Sequence, residues 1–228
     1  MPRVDAVVEC PIRPSFRVRQ VAGLFDLPPA ERSVERFSVE LPEPREAWRI
    51  GVIVGPSGSG KTTVARAAFG AAVCGPADWP ADRAVIDGFA DRPIHEITAA
   101  LTAVGFGSPP AWIKPYAVLS NGEKFRCDLA RALLSDQPLV VFDEFTSVVD
   151  RTAARIGSAA VAKAVRADRL ARRFVAVSCH YDILEWLEPD WVLDLASRRL
   201  ERGRLRRPPI ELDVFRCRQR LWPLFARH

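Results

Sequence analysis

The sequence predicts an α/β fold, a mainly parallel sheet wrapped by helices, with an antiparallel β layer along one edge. Three observations lead to it. From Ile50 onward, short apolar runs alternate with helical patterns, the order that strand-helix-strand crossovers produce. The runs Ile50 to Val54, Leu139 to Phe142, Phe174 to Ser178 and Trp191 to Leu195 lack polar alternation, as strands buried on both faces do. Ahead of them, Phe16 to Val21 and Ser33 to Leu41 alternate apolar with polar residues and read as half-buried strands.

The remaining elements follow in order. Pro28-Pro29 marks the turn region between the first two strands, and Pro42-Glu43-Pro44 breaks the second. Val64 to Phe69 is alanine-rich and helical, Ala84 to Asp87 is a short strand candidate, and Ile94 to Val104 is a small helical segment. A Gly/Pro-rich loop, Gly105 to Pro115, precedes the helical spacing of Asn121 to Leu134, and Thr152 to Arg166 is a further alanine-rich helix. No internal repeat or low-complexity linker is visible.

With 228 residues and 48% hydrophobic content, the chain can bury one α/β core, with room for a small appendage. No stretch approaches 18 consecutive apolar residues. Met1 to Pro14 is interrupted by Arg3, Asp5, Glu9 and three prolines, so neither a membrane span nor a signal peptide is expected. Five cysteines at 10, 74, 127, 179 and 217 are odd in number and lack a C-x-x-C pair, which argues against a disulfide framework or zinc cage and for a reducing cytoplasm. The basicity is concentrated at the end: from Arg198 to His228, ten arginines face Glu201, Glu211 and Asp213, while the first 197 residues are slightly acidic. Arginines interleaved with Phe215, Trp222 and Phe225 can pair with phosphates and stack on bases, as a nucleic-acid partner would require. They can equally form a solvated basic end or dock on an acidic partner.

Residues 55 to 63 read Gly-Pro-Ser-Gly-Ser-Gly-Lys-Thr-Thr between an apolar strand and a helix, the pattern of a phosphate-binding loop. Glycines let backbone N–H groups curl around phosphate oxygens, and the following helix aims its positive end at the same anion. Gly55, Ser57, Gly58, Gly60, Lys61, Thr62 and Thr63 are the expected nucleotide contacts. Lys61 is placed to reach the β- and γ-phosphates, and Thr62 to put its hydroxyl on Mg²⁺. The strand Leu139 to Phe142 ends in Asp143-Glu144, which puts two carboxylates at the sheet edge where open α/β sheets bind ligands. Asp143 is expected in the Mg²⁺ shell and Glu144 as the group that polarises the attacking water.

Leu119-Ser120-Asn121-Gly122-Glu123 stands just before a helix and about 20 residues ahead of that acidic pair. Ser120 and Gly122 at a helix N-terminus can bind a γ-phosphate, and S-x-x-E is also a capping box in its own right. The order GPSGSGKTT, LSNGE, LVVFDE, Ser147-Val148-Val149-Asp150 and His180 resembles the ABC-type ATPases over about residues 14 to 195. The resemblance implies a P-loop NTPase of ABC type over residues 1–197, with a reduced helical subdomain at about 88–135 and a basic tail from 198. It implies binding and hydrolysis of Mg-ATP in a head-to-tail homodimer, in which Ser120 and Gly122 of one subunit cap the nucleotide of the other. Asp150 then belongs to the D-loop and His180 is the switch histidine that contacts the γ-phosphate.

Two departures qualify the resemblance. No glutamine lies between Gln20 and Gln137, so the family's glutamine contact to Mg²⁺ and water is missing; Asp87 stands in the expected position, where it can ligate the metal directly or be a plain turn aspartate before Gly88. Residues 88–119 leave room for only a small helical region, which counts against the competing reading, the ATP-binding subunit of a membrane transporter. Family members stack adenine on an aromatic ahead of the phosphate loop. Phe25 and Phe37 both qualify, with Phe25 preferred. A narrower resemblance rests on Phe142 to Asp150, Ser178 to Asp182 and Gly203 to Pro209. It is to stand-alone prokaryotic and phage ABC ATPases, often followed by an acetyltransferase-like domain similar to DNA-modification enzymes. It implies that Ile210 to His228 begin such a domain and that the ATPase serves DNA modification or a related process.

Overall fold

The computed structural model describes residues 3–28, 32–43, 45–76, 78–89, 91–167 and 172–203. Strands β1 (Arg3–Pro11) and β2 (Arg32–Glu40) form an antiparallel pair, with helix α1 (Phe16–Leu24) in their connection. There follow β3 (Ile50–Val54), α2 (Lys61–Phe69), β4 (Val73–Cys74), α3 (Ile94–Ala103), α4 (Pro109–Trp112), α5 (Asn121–Leu133) and β5 (Leu139–Phe142). The chain continues with α6 (Arg151–Ala167), β6 (Arg173–Ser178), α7 (Ile183–Leu187), β7 (Trp191–Asp194) and β8 (Arg199–Arg202). The main sheet has the order β4-β5-β6-β3-β7-β8, parallel throughout except for the antiparallel edge strand β8.

The apolar runs are buried on both faces, as their lack of alternation predicts, and the period of two divides them between two cores. Ile50, Val52 and Val54 of β3 join Val140, Phe142, Phe174 and Ala176 beneath α3, α5, α6 and α7. Ile53, Val141, Val175, Val177, Trp191 and Leu193 face α2 and the β1–β2 layer through Val39, Leu41, Val64 and Ala65. Each of the large aliphatic or phenylalanine side chains among these contributes about 1.5–3 kcal/mol when fully buried, so this packing is a main source of stability and fixes where the C-terminal ends of the strands lie. Gly51 fits this second core for a specific reason: a Cβ there would lie 2.1 Å from the Trp191 ring.

Three local readings need correction. Phe16 to Val21 is helical, not a strand. Ser15 caps it by accepting the Val18 N–H at 3.2 Å, and the spacing Val18, Val21, Ala22, Phe25 is helical even though Phe16 to Arg19 alternates. The antiparallel layer exists, but the partner of β2 is β1. Ala84 to Asp87 is a 3-10 turn, Val85–Gly88, held by the Val85 N–H on the Lys114 carbonyl, and only Ala84 makes a β-bridge, to Pro115. The loop Gly105 to Pro115 contains α4, opened by Pro109. Beyond Ser197, Arg199 to Arg202 pair with β7 as β8, and Arg202 is fastened to Glu46 by a two-point ion pair. The Arg202 guanidinium holds the Glu46 carboxyl down at about 2. Residues 204–228, with Phe215, Trp222, Phe225 and the stretch Ile210 to His228, lie outside the described residues.

Candidate nucleotide site

The phosphate loop leaves the C-terminal end of β3 and closes into α2 through Gly58 and Gly60, whose φ angles of 79° and 82° favour glycine. Gly60 is constrained twice, because the Phe37 ring lies 2.3 Å from where its Cβ would be. Phe37 thus supports the loop from below, while Phe25, at the C-cap of α1, is 71% exposed. Lys61 Nζ folds back to donate to the Gly55 and Pro56 carbonyls at 2.9 and 2.7 Å, which holds the ammonium inside the ring of the loop. Gly60, the N-cap of α2, offers no side chain, so no cap takes the N–H groups of the helix's first turn, at Lys61, Thr62 and Thr63, and these can serve an anion.

Thr62 Oγ1 donates to Asp143 Oδ1 at 3.1 Å, and the Glu144 N–H donates to the same oxygen at 3.0 Å. Asp143 is nearly buried, at 9% exposure, and its N–H is anchored on the Cys74 carbonyl of β4 at 2.7 Å. A hydroxyl and a carboxylate at hydrogen-bond distance are hard oxygen donors of the kind Mg²⁺ takes together with phosphates and water. Glu144 is exposed, on a turn where it has φ 55° and Thr146 φ 65°. For a β-branched residue such as Thr146 that backbone is strained. Phe145, fully buried and bonded to the Val177 carbonyl at 2.9 Å, holds the turn in place and leaves the Glu144 carboxylate facing solvent.

Strand β6 lies between β3 and β5, with Val54 level with Ser178, so the loop that follows β6 emerges between the phosphate loop and Asp143. His180 stands there, its N–H on Ser178 Oγ at 3.1 Å and its Nδ1 buried with no partner among the described residues. Asp150 caps α6, accepting the Thr152 and Ala153 N–H groups at 2.9 Å each, which holds its carboxyl below the usual range. The next residue, Arg151, makes a bidentate ion pair with Asp182, one bond at 2.7 Å, and lies over the Trp186 ring. This pair ties the start of α6 to the His180 loop. Nothing in the sequence marks it, because its partners are 31 residues apart.

Ser120 caps α5 in a complete capping box with Glu123. At Gly122, a Cβ would meet only Ala153, at an ordinary 3.5 Å. Asp87 is exposed in its 3-10 turn, and its carboxylate has no hydrogen bond or ion pair with another described residue. The described residues contain no cluster of three or more His, Cys, Asp or Glu that could hold a metal by themselves. Nor do they include a helix long and apolar enough to cross a membrane.

No protein-family model and no curated protein matches the sequence. Solved structures do match the fold. A bacterial Atm1-family ABC exporter with ATP bound aligns with TM-score 0.53 and 22% identity over 68% of this chain, which spans 34% of the exporter chain. The ATP-binding cassette MJ0796, dimeric in a post-hydrolysis state with ADP and Pi, aligns with TM-score 0.58 and 15% identity over 75% of this chain and 93% of its own. A second dimeric structure of MJ0796, a bacterial ABC transporter cassette, gives TM-score 0.58 and 16% identity with the same coverage. The fold is that of an ABC-type ATP-binding cassette.

Proposed function

We propose that the chain binds Mg-ATP and hydrolyses it in a head-to-tail dimer. The observation that carries this reading is the hydrogen bond between Thr62 and Asp143, which joins the phosphate loop to an acidic strand end with Glu144 beside it. Lys61 and the first turn of α2 would hold the β- and γ-phosphates, and Thr62 and Asp143 the metal, with Asp87 as a further proposed ligand. Bound there, Mg²⁺ supplies charge neutralisation between the phosphates. Glu144, exposed on the turn anchored by Phe145, orients a water in line with the γ-phosphate and accepts its proton, and His180 donates to a γ-phosphate oxygen. Phe25 offers an exposed ring face to adenine.

Gly122 supports the dimer. Gly51, Gly60 and Gly88 each sit where a Cβ would come within 2.5 Å of a ring, whereas Gly122 has room for one within its own chain. A bare backbone at a helix N-terminus that the monomer does not require suits close approach by another molecule, here the nucleotide held by the partner. Asp150 lies at the start of the next helix and would meet the partner's site.

The process served is proposed to be linked to nucleic acid, such as DNA modification, on the strength of the arginine-rich end and of the resemblance to ATPases joined to acetyltransferase-like domains. The exporter match supports a transporter reading as the competitor. Two measurements test the proposal. ATPase rate should rise with the square of protein concentration when dilute, and Glu144→Gln should abolish turnover; a rate linear in protein, or unaffected by Glu144→Gln, would refute the mechanism. DNA binding should fall steeply with salt and weaken when the chain stops after Gly203, a cut that spares β8. Equal binding by the shortened chain would remove nucleic acid from the account of that end.

A further inference from the structure

We infer that Glu123 is an electrostatic brake on closure of the ATP sandwich: it holds the hydroxyl proton of Ser120 and puts a negative charge beside the position of the partner's γ-phosphate. The inference rests on the dimer reading above. Ser120 Oγ donates to Glu123 Oε2 at 2.8 Å, the Ser120 N–H donates to that same oxygen at 2.9 Å, and the Glu123 N–H donates back to Ser120 Oγ at 3.3 Å. A serine hydroxyl has one proton, and here it is committed to a carboxylate. To donate to a phosphate oxygen, Ser120 must first release Glu123.

The carboxylate is charged at neutral pH. The Ser120 backbone N–H first, then its hydroxyl, hold it below the usual range, with Lys114 and Arg126 adding smaller attraction. A phosphate oxygen accepting from Ser120 Oγ at about 2.7 Å would lie within about 5.5 Å of Glu123 Oε2. At that separation one pair of like charges shifts an equilibrium from about fourfold in water to over a hundredfold at surface-like screening. Lys114 and Arg126 offset part of this attractively, but removing the charge of Glu123 moves the balance in one direction only. A symmetric dimer contains two such contacts, so its association constant feels the penalty twice. The consequence is a cassette that closes weakly by itself. A capping role alone predicts otherwise, because glutamine can accept the same Ser120 N–H without the charge.

The test compares Glu144→Gln with the Glu123→Gln/Glu144→Gln double variant by sedimentation equilibrium in Mg-ATP. The double variant should dimerise with a dissociation constant at least tenfold lower, and the gain should shrink as salt rises. A double variant that dimerises no more tightly than Glu144→Gln overturns the brake and leaves the dimer standing. A double variant that associates where Glu144→Gln alone stays monomeric supports both. If neither associates, the dimer reading falls and the brake falls with it.

Discussion

Thr62 bonds to Asp143 at 3.1 Å across the width of β6, so the helix after the phosphate loop and the end of a non-adjacent strand share one oxygen pair. The two cores that fix β3 and β5 hold this pair together, so the proposed metal ligands sit on the rigidly packed part of the sheet. Thr62→Val removes the hydroxyl while keeping the shape. A hydrogen bond or ligand to a charged group is worth about 1.5–3 kcal/mol, so affinity for Mg-ATP should fall about tenfold or more. Affinity for ATP in EDTA should hardly change. Titration with a fluorescent ATP analogue, with and without Mg²⁺, checks both; an equal loss in the two conditions would mean that Thr62 shapes the loop instead.

Glycines in this chain separate into those the fold needs and those it does not. Gly51→Ala drives a methyl group to 2.1 Å from the fully buried ring of Trp191, its partner on the neighbouring strand β7. Overpacking of this kind should cost about 1–3 kcal/mol in urea unfolding. Gly122→Ala should leave unfolding unchanged or slightly improved, since alanine is the better helix former. Its cost should appear only as weaker ATP-dependent association.

Alkaline pH should destabilise the protein through the core around α5. Burial pushes the Cys127 thiol up to about 12 and Cys74 to about 11, with the charge of Asp128 adding to both. Tyr116 is raised by burial and by its hydrogen bond to Asp128. For groups whose pKa is raised on folding, the stabilisation is full below the unfolded value and is lost as pH climbs towards the folded one. Melting temperature should thus hold to about pH 8.5 and fall from there to pH 11. Cys127→Ala should flatten that fall; an unchanged slope would contradict the assignment.

Asp128 also holds a cluster that no local pattern reveals. Its two oxygens accept from Trp79 Nε1 at 2.6 Å and from the Tyr116 hydroxyl at 2.8 Å, and the two rings stack 5.0 Å apart. Asp128→Ala leaves two donors unmatched and should cost about 2–5 kcal/mol in thermal or urea unfolding. A loss under 1 kcal/mol would show that solvent replaces the carboxylate.

What the sequence revealed follows from where the constraint lies. A tight turn from a strand into a helix demands glycines at fixed offsets, so the passage from β3 to α2 at Gly55 to Thr63 is legible, as is the place of Asp143-Glu144 at the end of an apolar strand. The S-x-x-E spacing of Ser120 and Glu123 gave the cap. Elements stabilised by little burial were harder. Helix α1 has no buried residue, so its four-residue alternation outweighed its helical spacing, and β1 buries only Ala6. Strand β4 has two residues, too few for any period, and β8 is recognisable only by its pairing with β7. The Arg151–Asp182 pair and the seat of Phe37 under Gly60 arise from tertiary contact, which a one-dimensional pattern does not carry.

On the proposed function, one copy of this cassette holds half of a site. The decisive measurement is static light scattering of Glu144→Gln titrated with Mg-ATP, beside Lys61→Ala, which lacks the proposed phosphate-binding ammonium. Glu144→Gln should pass from monomer to dimer only with Mg-ATP, while Lys61→Ala stays monomeric. A Glu144→Gln protein that binds ATP and remains a monomer at every workable concentration, both alone and combined with Glu123→Gln, would overturn the dimer.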